Sequence, residues 1–129
     1  MGQPAAKQGD QIVAVDTHVV VMPQGPPQPL PHPFTGLLNG GLSSDVKIMG
    51  RAAAVVGSTA DNSPPHLPVP PGMSFQRPPA NKATVQLGSQ TVTVNGKPAA
   101  RNTDKALTCN DPSDLPVGTV IAVGTVLIG

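Results

Sequence analysis

Three nine-residue segments of this chain align on one another without gaps. They are Gly2-Gln3-Pro4-Ala5-Ala6-Lys7-Gln8-Gly9-Asp10, Gly50-Arg51-Ala52-Ala53-Ala54-Val55-Val56-Gly57-Ser58 and Gly96-Lys97-Pro98-Ala99-Ala100-Arg101-Asn102-Thr103-Asp104. Each reads Gly, a long polar residue, Pro or Ala, two Ala, then a turn ending in Asp or Ser. An internal repeat constrains a fold more than any local propensity, because each copy must find the same surroundings. The context repeats as well. Val46-Lys47-Ile48-Met49-Gly50 leads into the second copy and Val92-Thr93-Val94-Asn95-Gly96 into the third. Alternating apolar residues running into a Gly turn predict a strand and a tight hairpin, with Asn95-Gly96 the strongest such signal. The first copy has no leader of its own, but Val126-Leu127-Ile128-Gly129 has the missing pattern. The expected arrangement is a ring of three similar units within one chain, closed by its two ends.

Composition agrees with a repeat built on turns rather than on helices. Gly (14) and Pro (17) make up about a quarter of the 129 residues, and only Phe34 and Phe75 are aromatic. No stretch carries a helical period with caps, so the fold class expected is all-β. At 38% hydrophobic residues and a net charge of +1, charge-driven disorder is not the natural reading. A chain of this length forms one domain, 1–129, with a thin core that calls for a staple or a partner. Basic residues are scattered singly, which argues against nucleic acid as a partner. The longest apolar stretch, 117–129, is too short and too Gly-rich to span a bilayer. The first residues show no secretory signal, so synthesis in the cytoplasm without a signal peptide is expected.

Short strands are predicted over 11–15, 19–22, 46–49, 53–56, 84–87, 91–94 and 118–128, the last with a break near Gly124. Two Pro-rich stretches, 23–33 and 64–79, read as long, polyproline-like loops.

The chain has three histidines and one cysteine: His18, His32, His66 and Cys109. His18 lies nine residues after Gly9 and His66 nine after Gly57, while Cys109 lies six after the matching Thr103. The repeat therefore gathers His18, His66 and Cys109 at one end of the axis, and His32 reaches them from its Pro-rich stretch. Imidazole and thiolate donors suit zinc in a tetrahedron. Four protein donors leave no open position, so the zinc is read as structural, a staple for the thin core.

Pro98-Ala99-Ala100-Arg101 and Pro4-Ala5-Ala6-Lys7 spell the signature of the PAAR-repeat proteins, with Gly50-Arg51-Ala52-Ala53-Ala54 a divergent copy. Over essentially its whole length the chain resembles the PAAR tip proteins of contractile injection systems: type VI secretion machines, phage-tail-like particles and extracellular injection particles. The resemblance implies a small β-rich cone of pseudo-threefold symmetry. Its base would sit on a homotrimeric VgrG-like spike, one chain per trimer, and its point would be held by zinc on His18, His66, Cys109 and His32. It further implies a tip that sharpens the spike, contacts the target membrane transiently, and can carry effector cargo to the outside or into the target cell. The second copy departs from the pattern, with Ala52 in place of Pro and Val55 in place of a basic residue. No fused toxin domain is expected beyond Gly129. On this reading the chain is not an enzyme. Two alternatives come from the residues alone: a small zinc-dependent hydrolase using three histidines, a water and Asp16 as base, and a Pro-rich adaptor module.

Overall fold

The computed structural model describes residues 2–129; Met1, the first residue of the expected 1–129 domain, lies outside the described residues. Thirteen strands and no helix are found among them: β1 (Gln3–Pro4), β2 (Gln11–Val21), β3 (Gln28–Gly40), β4 (Lys47–Ile48), β5 (Arg51–Ala52), β6 (Thr59–Asn62), β7 (Ser74–Phe75), β8 (Lys82–Val85), β9 (Thr93–Val94), β10 (Lys97–Pro98), β11 (Lys105–Thr108), β12 (Leu115–Ile121) and β13 (Leu127–Ile128). The all-β expectation holds. Among the described residues no helix is long and apolar enough to cross a membrane.

Six strands close on themselves. The order β12-β11-β8-β6-β3-β2 is completed by pairing of β12 with β2, through Thr119↔Val13, Val120↔Ile12 and Ile121↔Gln11. Where the six strands close, the barrel leaves no bare edge. Its interior holds Ile12, Phe34, Leu38, Ala60, Ala83, Val85, Ala106 and Val120, all 0–1% exposed. Each comes from the inward side of a strand whose alternate residues face out.

The repeats sit at one end of the barrel. The hairpins β4–β5 and β9–β10 and the pairing of β1 with β13 form three separate two-stranded ribbons. The C-terminal strand thus supplies the leader that the first repeat lacks. Met49-Gly50 (φ 52 and 81) and Asn95-Gly96 (φ 52 and 79) both take the left-handed values of a type I′ turn. Between the ribbons the chain closes a ring of backbone hydrogen bonds. Ala6 N–H donates to the Ala100 carbonyl (2.9 Å), Ala100 N–H to Ala54 (3.0 Å), and Ala54 N–H to Ala6 (3.0 Å). A second set runs the opposite way round the ring: Gln8 N–H to Ala52, Val56 to Pro98, and Asn102 to Pro4. The residue closing each repeat has a repeated task too. Asp10, Ser58 and Asp104 accept from the backbone N–H of Lys7, Val55 and Arg101 at 3.0, 2.9 and 2.7 Å. This explains why Asp or Ser ends every copy. Ala5, Ala53 and Ala99 pack with Ile48, Val94 and Ile128 in a second small core on the outer side of the ring.

The expectation of uniformly short strands and a looped first Pro-rich stretch is corrected. The strands predicted at 11–15 and 19–22 are one strand, β2, and 29–33 is part of β3, the longest strand. Pro29, Pro31 and Pro33 occupy every second position, so their missing N–H groups fall along one edge of β3. That edge has no strand partner before Gly36↔Asn62. Along its other edge all of 28–37 pairs with β2, including His32 opposite Asp16 and Leu30 opposite His18. Proline is tolerated in a strand on such terms. The segment 53–56 is not a strand but carries isolated bridges, Lys7↔Ala53 and Val55↔Ala99. The second Pro-rich stretch is a loop except at β7, and the break near Gly124 is present (φ 155).

Candidate metal centre

The β2–β3 ribbon extends past the barrel, away from the alanine ring. From Gln11 to His18 it runs about 20 Å at the usual rise of a strand, and there the histidines converge. Asp16 and His18 are two residues apart on β2 and so share its buried face, at 0% and 1% exposure. His32 enters from β3 in register with Asp16. His66 follows β6 in the second Pro-rich loop. Its backbone N–H donates to Asn81 Oδ1 (2.8 Å), which also takes a bond from Asn62 Nδ2 (3.1 Å). Cys109 follows β11 directly. The chain around it is stitched to β2: Asn110 Oδ1 accepts from Thr17 N–H (2.6 Å), and Asp111 N–H donates to the Thr17 carbonyl (2.8 Å). The three imidazole rings lie 5.0–5.6 Å apart between centroids. Both phenylalanines flank them, Phe75 beside His18 and His32, and Phe34 beside His66.

Ligand atoms of Asp16, His18, His66 and Cys109 all lie within 4.8 Å of one another, and all four residues are buried. This group could hold a metal ion. Neither ring nitrogen of His18 has a hydrogen-bond partner among the described residues. Its Nδ1 faces Asp111 Oδ2 at 3.6 Å, beyond hydrogen-bond length. A buried polar atom without a partner is costly, and a cation accepting the imidazole lone pair would remove that cost. Asp16 Oδ2 lies 2.9 Å from His66 Nε2 and 3.5 Å from Cys109 Sγ, and Asp16 Oδ1 accepts from the Thr108 hydroxyl.

Three of the four residues expected from the sequence are therefore within one group. His32 is adjacent but outside it, with both ring nitrogens at backbone groups: Nδ1 at the Leu30 carbonyl (2.9 Å) and Nε2 at the Val69 N–H (3.3 Å). Asp16 is the member that sequence reasoning did not place among the ligands. Its spacing of two from His18 was the available signal, since such residues share a face once the segment is a strand.

Burial, followed by the neighbouring His66, lowers the pKa of His18. Burial also lowers that of His32, against the pull of the Leu30 carbonyl. Both are thus neutral at neutral pH, the form that binds metals. Burial and then the Asp16 carboxylate push the Cys109 thiol up to about 11, so without a cation it keeps its proton. Burial pushes Asp111 up, but the Val19 N–H, Arg77 and His18 outweigh it and leave its pKa below the ordinary value.

An ion held by this group through the Cys109 sulfur would have to displace that proton. Apparent affinity is expected to rise about tenfold per pH unit from about pH 6.5 to about pH 8, where the thiol is protonated and both shifted histidines are already neutral. Competition titrations with a chromophoric chelator at several pH values measure this. A flat profile would mean that the thiolate is not a ligand.

Comparison with models of protein families, with curated proteins and with solved structures found no match for this chain.

Proposed function

We propose that this chain is a structural tip of the PAAR-repeat type, held by zinc at one end and seated by the other on the trimeric VgrG-like spike of a contractile injection system. The observation that carries this reading is the cyclic hydrogen-bond ring Ala6–Ala100–Ala54 with its three ribbons. The ribbons offer matched surfaces: Val46, Val92 and Val126 are 37, 36 and 40% exposed, over buried Ile48, Val94 and Ile128. One chain presenting the same short pattern three times around an axis suits a homotrimer, because each partner subunit then meets a similar apolar contact.

Zinc is the proposed ion because the donor set joins imidazoles to a thiolate. Held by four protein groups it would tie β2, the 64–79 loop and the chain after β11 together, so that thrust does not splay them. Such a site is structural, and the chain is not an enzyme on this reading. The same reading has it made in the bacterial cytoplasm, mounted on the injection particle, and brought into transient contact with a target membrane, with effectors as cargo. The reading involves no nucleic acid.

Mixing the chain with the trimeric spike protein of its own gene cluster tests the proposal. Native mass spectrometry should find one copy per trimer. Absence of binding, or three copies per trimer, would overturn the capping reading.

A further inference from the structure

We propose that Asp16, and not His32, is the fourth ligand of the metal, and that His32 instead fastens the 67–69 segment of the Pro-rich loop. This rests on the metal reading above and concerns which side chains complete the site.

Donors sharing one tetrahedral zinc, at about 2.0–2.2 Å for nitrogen or oxygen and about 2.3 Å for sulfur, are separated from one another by roughly 3.2–3.6 Å. Asp16 Oδ2 stands 3.5 Å from Cys109 Sγ and 2.9 Å from His66 Nε2. The first separation is that of two donors on one ion, and the second reaches it by a shift of a few tenths of an ångström. Asp16 Oδ1 is occupied by the Thr108 hydroxyl, which fixes the carboxylate and leaves Oδ2 turned toward His66 and Cys109.

Charge is compatible with the same set. A thiolate on Cys109 beside a fully buried carboxylate is a pair of like charges in a poorly solvated place. A divalent cation bound to both makes the centre neutral. Were His32 the fourth ligand instead, the summed charge would be the same, so the choice between the two sets rests on geometry and on the free hydrogen-bonding capacity of each side chain.

His32 is satisfied without the ion. Nδ1–H donating to the Leu30 carbonyl leaves Nε2 to accept from Val69 N–H, and to ligate it would have to release that bond. Proximity of its ring to His18 and His66 therefore reflects packing rather than shared coordination. By holding Val69, His32 closes one wall of a cavity of about 340 Å³ that His66, Pro64, Pro65 and Leu67 also line.

A carboxylate that merely oriented His66 from outside the coordination shell would affect affinity by about 10–100-fold. X-ray absorption at the zinc edge of the loaded, full-length chain separates the two sets without any substitution, since it counts imidazoles. One sulfur, two imidazoles and one further oxygen are expected; three imidazoles would overturn the proposal. In the same chain, Asp16→Asn is expected to weaken zinc binding by more than 100-fold, and His32→Gln by less than tenfold. The reverse ranking would overturn it. A wild-type chain that takes up no zinc, cobalt or other divalent ion would instead overturn the metal reading itself.

Discussion

A Cys109→Ser chain is expected to lose its zinc on purification and to unfold at least about 10 °C below the wild type, a loss of roughly 3 kcal/mol or more for a domain of this size. Serine nearly matches cysteine in volume and fits the same buried place, so packing is little disturbed. What changes is the donor, because a hydroxyl does not ionise at any accessible pH and oxygen lacks the affinity of thiolate for zinc. Structural zinc contributes on the order of 10 kcal/mol of apparent folding free energy in small domains. Part of the stability is retained here by the barrel, which has its own core of Ile12, Leu38, Val85 and Val120, with Phe34 joining it to the metal end beside His66. The expected product is thus a chain with an intact barrel and a loosened metal end, not an unfolded one. Chelator treatment of the wild type should give a similar melting temperature, and adding chelator to Cys109→Ser should change nothing further. Elemental analysis and thermal unfolding measure both. Full zinc content in the variant, or a melting temperature within about 2 °C of wild type, would refute the staple.

The division between barrel and metal end also explains what could be read from the sequence. The three Ala pairs, their ribbons and the closure of β13 on β1 were legible because each depends on local signals: alternation, a Gly turn, a small residue. The barrel was not. Its closure joins Gln11–Val13 to Thr119–Ile121, a pairing no local pattern announces. Three of its members, Thr59–Asn62, Lys82–Val85 and Lys105–Thr108, are only four residues long. Proline obscured β3, since six prolines in eleven residues suggest a loop until their alternation is noticed. The candidate ligands were legible as far as the repeat reached, through His18, His66 and Cys109. Asp16 was hidden by the apparent gap between two short strands; in a continuous β2 it stands on the same face as His18.

Enlarging any one alanine of the ring is expected to be as damaging as enlarging either of the other two. Ala6, Ala54 and Ala100 are 0, 1 and 0% exposed, their peptide groups bond cyclically, and all three belong to the main buried core. Leucine at any of these positions adds three carbons with nowhere to go. Either the side chain leaves its rotamer or the 2.9–3.0 Å ring of hydrogen bonds opens. Overpacking of this kind costs typically about 1–3 kcal/mol, and opening the ring strands N–H and carbonyl groups that have no water to replace their partners. Ala6→Leu, Ala54→Leu and Ala100→Leu should therefore destabilise the chain by at least about 2 kcal/mol each and agree with one another to within about 1 kcal/mol. Ala80→Leu, at an exposed loop position, should stay within about 0.5 kcal/mol of wild type. The ring also sets the spacing of Val46, Val92 and Val126, so the same three variants should bind a trimeric spike more weakly while Ala80→Leu binds normally. Denaturant unfolding of the four variants checks the first expectation. Three unequal ring variants, or one as mild as Ala80→Leu, would show that the repeats share a sequence pattern without sharing the axis.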